Sequence, residues 1–577
     1  MELTGAQILV ESLKKEGVDT IFGYPGGVVI PIFDVLFDEK DIKVILPRHE
    51  QGAAHMADGY ARASGKVGVC LATSGPGATN TVTGIATANM DSIPMVIITG
   101  QVASSMIGND AFQEVDMVGI TRPITKHNFL VKDINELSKT VKEAFHIANT
   151  GRKGPVLIDI PVDISKGKTE FKYPEKVELR GYNPNYEGHP GQIKKAMKML
   201  SNAKRPVIMA GGGIISSDAA DDFRKFVDKC KVPVTTTLLG LGSIDPDNPL
   251  WLGMPGMHGT YQANYALTEC DLILSVGARF DDRVTGKLDA FAPIAKVIHV
   301  DIDPTSISKS VGVDIPIVGD AKTIIPELTK NVKECKIDDW RSLCKKWEEE
   351  HPSKYIQSPD GDIKPQFVIE KISELTKGDC IVSTEVGQNQ MWAAQYFRYK
   401  NPRSLLTSGG LGTMGYGYPA ALGAQVAFPD KIVVDIAGDG SIQMNIQELA
   451  TAALYNLPVK IIILNNGYLG MVRQWQELFF DRRYSSTCLL KDDECPPECK
   501  GVQGSECHKY IPDFVALAKA YGISGVRVTE VGQVESVLKE ELFNGKPSVI
   551  EFVISREENV FPMVPAGKAI NEIMGMA

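Results

Sequence analysis

The stretch "DIAGDGSIQMNIQEL" sets Asp439 between Gly438 and Gly440 at the end of an apolar run, and "ILNNGYLGMVRQWQ" ends the next run on Asn466, 27 residues later. One strand, one helix and a second strand fit that interval, so the two oxygen-bearing side chains should emerge side by side at one sheet edge. The glycines leave room for a diphosphate, and a hard cation such as Mg²⁺ is held by a few protein oxygens together with phosphate oxygens and water. Taken alone, GDG reads as readily as a strand-to-helix turn with Asp439 as the cap; the paired asparagine is what favours a cation. A third candidate, Glu50, heads "EQGAAHMADGYARASGK". An acid at a helix N-terminus is favoured by the macrodipole. Here residues 52–57, Gly-Ala-Ala-His-Met-Ala, form a largely apolar face, and the cationic partners at hand are Arg48 and His49 just before it. A carboxyl in such surroundings holds its proton more readily, as an acid used for proton transfer must.

The elements that must carry these residues are short β-branched runs ending in Gly or Pro, alternating with helical patterns, which is the mark of parallel α/β sheets. They fall into three groups separated by the polar stretches "KYPEKVELRGYNPNYEGHPG" and "KKWEEEHPSKYIQSPDGDIKPQ". The expectation is three α/β domains, 1–185, 186–355 and 356–577, each built on a mainly parallel sheet flanked by helices. The chain has 577 residues, 43% of them hydrophobic, and no apolar run approaches the ~18 residues of a membrane helix. The first residues lack the order of a secretion signal, so a cytoplasmic location is expected. A net charge of −10 argues against a nucleic-acid partner.

GDG followed by an Asn-Asn pair resembles the thiamin diphosphate enzymes. By that resemblance Asp439, Asn466 and the backbone carbonyl of Tyr468 hold Mg²⁺, and Glu50 meets N1′ of the cofactor's pyrimidine. The runs 23–27 and 74–80, with Gly26 and Asn80, are similar to the rest of the pyrimidine pocket. Gly387, Gln388, Asn389, Gly412, Gly438, Gly440, Ser441, Leu469 and Gly470 are similar to the diphosphate side. Within the family the likeness runs nearly end to end with the acetohydroxyacid synthases: "GNDAFQEVD", "TRPITKHN", "MPGMHGT", "GARFDDRVTG", "HVDIDP", "LGTMGYGYPAALGAQ", "MVRQWQELF" and "NVFPMVPAGKAI". The resemblance implies that Met414 supports the bent cofactor, that Gln113 faces the reacting centre, and that Met471 and Trp475 wall the pocket for the second ketoacid. Lys126 receives no role.

The same resemblance makes the middle domain Rossmann-like and FAD-binding, with Gly211, Gly212, Gly213, Met254, His258, Gly277, Arg279, Arg283, Asp301, Asp303 and Asp320, and with Arg152 from the first domain. It implies decarboxylation of pyruvate and condensation of the two-carbon unit with a second pyruvate or with 2-ketobutyrate, giving 2-acetolactate or 2-aceto-2-hydroxybutyrate at the start of branched-chain amino acid synthesis. It also implies a homodimer or dimer of dimers, because the two halves of each cofactor site come from different subunits, and a separate regulatory small subunit. Rival readings are another carboligase, decarboxylase or pyruvate oxidase of the same fold, a flavin oxidoreductase, and a scaffold that has lost catalysis. Asn389 stands where the family commonly has His, and Ala103 and Ser105 where many members have Pro and Arg. Cys488, Cys495, Cys499, Cys507 and His508 crowd an insertion near 485–510 whose spacing fits no standard zinc or iron-sulfur pattern. A metal site, a redox thiol switch and an inserted surface loop all remain open for it.

Overall fold

The computed structural model describes residues 2–490 and 512–575. Three parallel sheets organise the chain, as the alternation of apolar runs and helices requires. The first has the order Lys43–Ile45, Thr20–Gly23, Gly68–Ala72, Met95–Gln101, Pro155–Pro161, His127–Leu130. The second runs Val234–Thr236, Pro206–Ala210, Leu272–Val276, Lys296–Asp301, Ile315–Val318, and the third Leu405–Leu406, Ile381–Thr384, Val433–Gly438, Lys460–Asn465, Ser548–Val553, Ser524–Val528. Their central strands are buried on both faces, which is why they read as unbroken apolar runs. An antiparallel pair, Glu2–Thr4 with Lys168–Glu170, closes the first domain. The C-terminal residues turn back onto the middle domain: Ile570 joins its core, and Val564 N–H donates to the Met257 carbonyl at 2.7 Å.

The first and third domains meet along two helices, Glu50–Ser64 and Gly417–Ala427, whose apolar sides form one continuous core with both sheets. Glycines set how closely they approach. A Cβ on Gly59 would stand 2.1 Å from the Ala420 carbonyl oxygen, and one on Gly423 would stand 1.9 Å from that of Met56. Backbone therefore lies on backbone where the helices cross, leaving no space for even a methyl group.

A buried charge network seals the same contact. Arg62 Nε donates to Asp58 at 2.5 Å, its Nη2 to Asp91 at 2.9 Å, and its Nη1 to the Thr407 carbonyl at 2.9 Å. Asp58 also accepts from the Tyr416 hydroxyl at 2.6 Å, while Asp91 accepts from Gly409 N–H at 3.0 Å and Gly410 N–H at 2.7 Å. Every charge here has a partner, as buried ions need. The network ties the first-domain helix to the loop that carries Met414. Gly59→Ala and Gly423→Ala should each lower stability by about 2 kcal/mol or more through overpacking; a thermal or urea unfolding series checks this, and an unchanged midpoint would contradict the close-crossing account.

Candidate active site

In both outer domains the expected residues leave neighbouring strands at their carboxyl ends. The loop after Thr20–Gly23 brings Gly26 against the turn that follows Gly68–Ala72, so closely that a Cβ on Gly26 would meet the Thr73 side chain at 2.5 Å. That turn continues into Asn80, whose Nδ2 donates to Glu50 Oε2 at 3.0 Å. Glu50 is the first residue of its helix and half-buried. Gln113 lies over the same turn with a positive φ of 60°, packed on Gly75, where a Cβ would come within 2.9 Å of it. Glu50, Asn80, Gly26 and Gln113 thus share one mouth, with Phe112 fully open to its surroundings beside it.

Glu448, which the sequence reading missed, fixes the approach to Glu50. This third-domain carboxylate accepts from Arg48 N–H at 3.0 Å, His49 N–H at 3.1 Å and the Thr451 hydroxyl at 2.6 Å. It crowds Gly52, whose Cβ would stand 2.5 Å from Oε1. Glu448 lies nearly 400 positions from the helix it holds, so nothing local in the sequence marks the contact.

On the third sheet, Asp439, Asn466, Gly387 and the Met414 loop leave four adjacent strands. Asn466 N–H donates to Asp439 Oδ1 at 3.4 Å, and Asn466 Oδ1 accepts from Tyr468 N–H at 3.1 Å. Burial pushes the Asp439 carboxyl up to about 7 against several backbone N–H donors. Among the described residues no Lys, Arg or His pairs with it. A buried carboxylate with neutral donors alone needs a proton or a cation, and the hard oxygens of Asp439, Asn466 and the Tyr468 carbonyl suit a divalent ion. The Tyr468 ring is held between the guanidiniums of Arg473 and Arg556, at 5.7 and 4.4 Å, and Arg556 also donates to the Asn466 carbonyl at 3.1 Å. Neither arginine was found from the sequence.

Two expected contacts read differently here. Asn389 Nδ2 donates to the carbonyls of Glu385 at 3.0 Å and Ile436 at 2.8 Å, so its amide hydrogens do not point outward to a phosphate. Gln388 donates to Gln474 at 2.9 Å and to the Glu558 carbonyl at 3.0 Å, and its Oε1 accepts from Asn466 Nδ2 at 3.3 Å. Both amides are buried, and buried donors are satisfied inside the protein. Gln388 braces Asn466 and explains Gly470, whose Cβ would fall 2.2 Å from that Oε1. Gly438 lies beside Asn389 Oδ1, and Gly440 against Leu469, where a Cβ would come within 2.7 Å of the leucine side chain. Ser441 is buried, its hydroxyl turned to the Gly438 carbonyl at 3.3 Å. Gly412 takes φ +72° in an exposed turn before Met414, which is half-buried. Met471 and Trp475 stand one helical turn apart on the helix Gly470–Phe479, Trp475 being 36% exposed.

In the middle domain Gly211 and Gly277 leave adjacent strands, but their missing side chains serve loop against loop. A Cβ on Gly211 would stand 2.1 Å from the Gly277 oxygen, and one on Gly213 2.7 Å from the Gly277 Cα; Gly212 lies on Leu239. Asp301 and Asp303 end the next strand, and Asp303 accepts from Arg152 Nη1 at 3.3 Å, a contact between two expected residues from different domains. Asp320 caps the helix Ala321–Asn331 through Lys322 N–H at 2.7 Å, and Arg283 is exposed, 3.5 Å from Met257 Sδ. Arg279 is half-buried, and Met254 is buried. His258 is buried, and desolvation lowers its ring to about 4, so it is neutral near pH 7. Lys126 is structural: its ammonium donates to the Thr150 carbonyl at 2.7 Å and to Tyr182 at 3.0 Å, at the end of the helix Leu137–Asn149.

The six isolated cysteines are buried, and among the described residues no three His, Cys, Asp or Glu side chains assemble as a metal site. Cys495, Cys499, Cys507 and His508 lie outside the described residues. Cys488, a free thiol, stands opposite Tyr468 in an isolated antiparallel backbone pairing, with its sulfur 3.8 Å from Arg556 Nη2. No described helix is long and apolar enough to cross a membrane.

The chain matches three parts of the thiamine pyrophosphate enzyme family, thiamine pyrophosphate being thiamin diphosphate under another name. These are its N-terminal TPP binding domain over residues 3–120, its central domain over 193–328 and its C-terminal TPP binding domain over 385–552. It is 48% identical to the acetolactate synthase large subunit of Corynebacterium glutamicum, over 99% of this chain and 90% of that one. It is also 48% identical to that of Haemophilus influenzae, over 99% and 98%, and 49% identical to the acetolactate synthase of Mycobacterium bovis, over 99% and 91%.

Burial pushes the Glu448 carboxyl up to about 7 from the 4.5 of a free glutamate. The folded state then keeps a proton that the unfolded chain gives up. Its contribution is present at mildly acidic pH and is lost as pH rises through about 7. Glu448→Gln can still accept from Arg48 and His49 while facing Thr451 with its amide; it should make the thermal midpoint less dependent on pH between about 5 and 8. A parental pH profile in that variant would contradict the assignment.

Proposed function

Since the chain belongs to the acetolactate synthase large subunits of the thiamine pyrophosphate enzyme family, we propose that the mouth around Glu50 and the edge around Asp439 are the two halves of its cofactor site. The activity is acetolactate synthesis: one pyruvate loses CO₂, and its remaining two-carbon unit joins a second pyruvate as 2-acetolactate. The observation that carries the site reading is the Glu50–Asn80 contact at the head of a buried helix. Thiamin diphosphate supplies the electron sink for decarboxylation when bound. Glu50 holds and moves a proton at N1′ of its pyrimidine, and Asn80 keeps one carboxyl oxygen occupied so that the other is free to do so. Met414 would support the cofactor. Gln113 offers its amide to the reacting substrate, and Met471 with Trp475 walls off the second ketoacid, which we extend to 2-ketobutyrate. Apolar walls around the bound cofactor would favour loss of CO₂ by excluding water from the reacting centre.

Asp439, Asn466 and the Tyr468 carbonyl would hold Mg²⁺, which would supply positive charge for the cofactor's diphosphate. Arg152, Asp301, Asp303, His258 and the glycine turns of the middle domain would hold FAD. We place the domain limits near 185 and 355 and the protein in the cytoplasm, and we retain a separate small subunit as its regulatory partner. A homodimer is supported by the exposed apolar side chains that ring the site loops: Phe112 beside Gln113, Leu411 beside Gly412, and Met444 after the Asp439 turn.

Purified chain supplied with pyruvate, thiamin diphosphate, Mg²⁺ and FAD should form acetolactate without an external electron acceptor and without bleaching the flavin; turnover that requires an acceptor would favour an oxidase. Glu50→Gln should lower kcat by about 100-fold or more while thiamin diphosphate still binds, and a parental rate with cofactor bound would refute its role. Removal of divalent ions by a chelator should abolish the activity, and Mg²⁺ should restore it; full activity in the chelated protein would remove Asp439 and Asn466 from the metal site.

A further inference from the structure

The turn carrying Met414 is anchored at nearly every neighbour. Thr413 N–H donates to Ser408 Oγ at 3.0 Å, the Gly415 carbonyl accepts from Asn445 Nδ2 at 2.6 Å, and the Tyr416 hydroxyl reaches Asp58. The central anchor is Glu385, which follows the strand Ile381–Thr384. Its Oε2 accepts from Gly415 N–H at 2.6 Å and its Oε1 from Tyr418 N–H at 3.1 Å, so one carboxylate spans the turn just after Met414. Asp435, on the adjacent strand, presses on the same turn: a Cβ on Gly417 would stand 2.4 Å from its Oδ1. Glu385 and Asp435 are both wholly buried, and neither Asp435 oxygen has a hydrogen-bond partner.

We propose that Glu385 is the positioning residue for Met414, and that Asp435, which presses on the same turn without a hydrogen-bond partner, is held there as the neutral acid, so that the turn does not face two negative charges. This rests on Met414 touching the cofactor. Burial drives both carboxyls upward, and at Asp435 the nearby Glu385 charge adds to the rise, the direction that retains a proton. Among the described residues, the groups around the pair offer no competing cation. Tyr416 and Tyr418 are buried hydroxyls, His55 is buried and neutral against Tyr416, Arg62 is spent on Asp58 and Asp91, and Glu448 lies beyond Tyr418. Raising the pH removes the Asp435 proton, and the resulting repulsion should loosen the turn.

The test uses the full chain with ¹³C-methyl methionine, in which Met414→Ala assigns one of the 18 methionine signals. Glu385→Gln presents an N–H to one of the two N–H donors. It should shift the Met414 methyl signal in the cofactor-free protein and lower kcat about ten-fold, with the pyruvate KM within about two-fold. Asp435→Asn supplies a permanent neutral partner; it should keep the Met414 signal near its parental place, retain about a third or more of kcat, and remove the pH titration of that signal between 6 and 9. The proposal is overturned if Glu385→Gln leaves signal and kcat unchanged, if methionine signals throughout the chain move together with a fall in unfolding midpoint, or if Asp435→Asn still titrates. Parental kcat in Met414→Ala would defeat the cofactor contact alone, since the methyl shift reports positioning without cofactor.

Discussion

Everything at the site depends on the backbone-on-backbone crossing of the helices Glu50–Ser64 and Gly417–Ala427. One begins with Glu50, and the other follows directly on the Met414 turn. Gly59 and Gly423 bring them so close that their relative position has little freedom, because a close-packed contact without side chains cannot be slid without opening voids. The Arg62, Asp58, Asp91 and Tyr416 network adds direction to that closeness. Dispersion holds the helices together, while the ion pairs and the N–H donors of Gly409 and Gly410 fix the register of the loop against the helix.

A second constraint is the shared carboxyl edge of each parallel sheet. Strand order places the Gly26 loop beside the 74–80 turn, and the Asp439 turn between the loops of Gly387 and Asn466. Glycines there do two different jobs. Gly470 admits the Gln388 carbonyl, and Gly52 admits the Glu448 carboxylate, whereas Gly211, Gly213 and Gly277 let one loop lie on another. The middle domain's glycine-rich turn therefore owes its composition to packing as well as to any ligand.

The site concentrates carboxylates in places where water is excluded. Burial pushes Asp439 and Glu448 up to about 7 and raises Glu385 as well. A fold selected for stability alone would replace such groups with apolar ones, since burying a charge costs more than a neutral contact returns. Each stands at a loop that carries Met414, a candidate metal ligand or the approach to Glu50, where its oxygens accept from backbone N–H groups.

The sequence by itself determined the strand runs, the three α/β units and the family, because period, turn glycines and the GDG to Asn466 interval are local patterns. It also pointed to Glu50, Asp439 and Asn466 by their surroundings in the chain, and to Gln113 through the family resemblance. The tertiary structure alone decided what holds them: Glu448 to Arg48 and His49, Glu385 to Gly415, Arg62 to Asp91 and Gln388 to Asn466 are long-range contacts. It likewise turned the hydrogens of Asn389 inward and gave Lys126 a helix end to bind. A side chain's donors are allotted by whichever buried carbonyls and amides the fold places within about 3 Å of it, and that allotment is a property of packing, which residue order along the chain does not record.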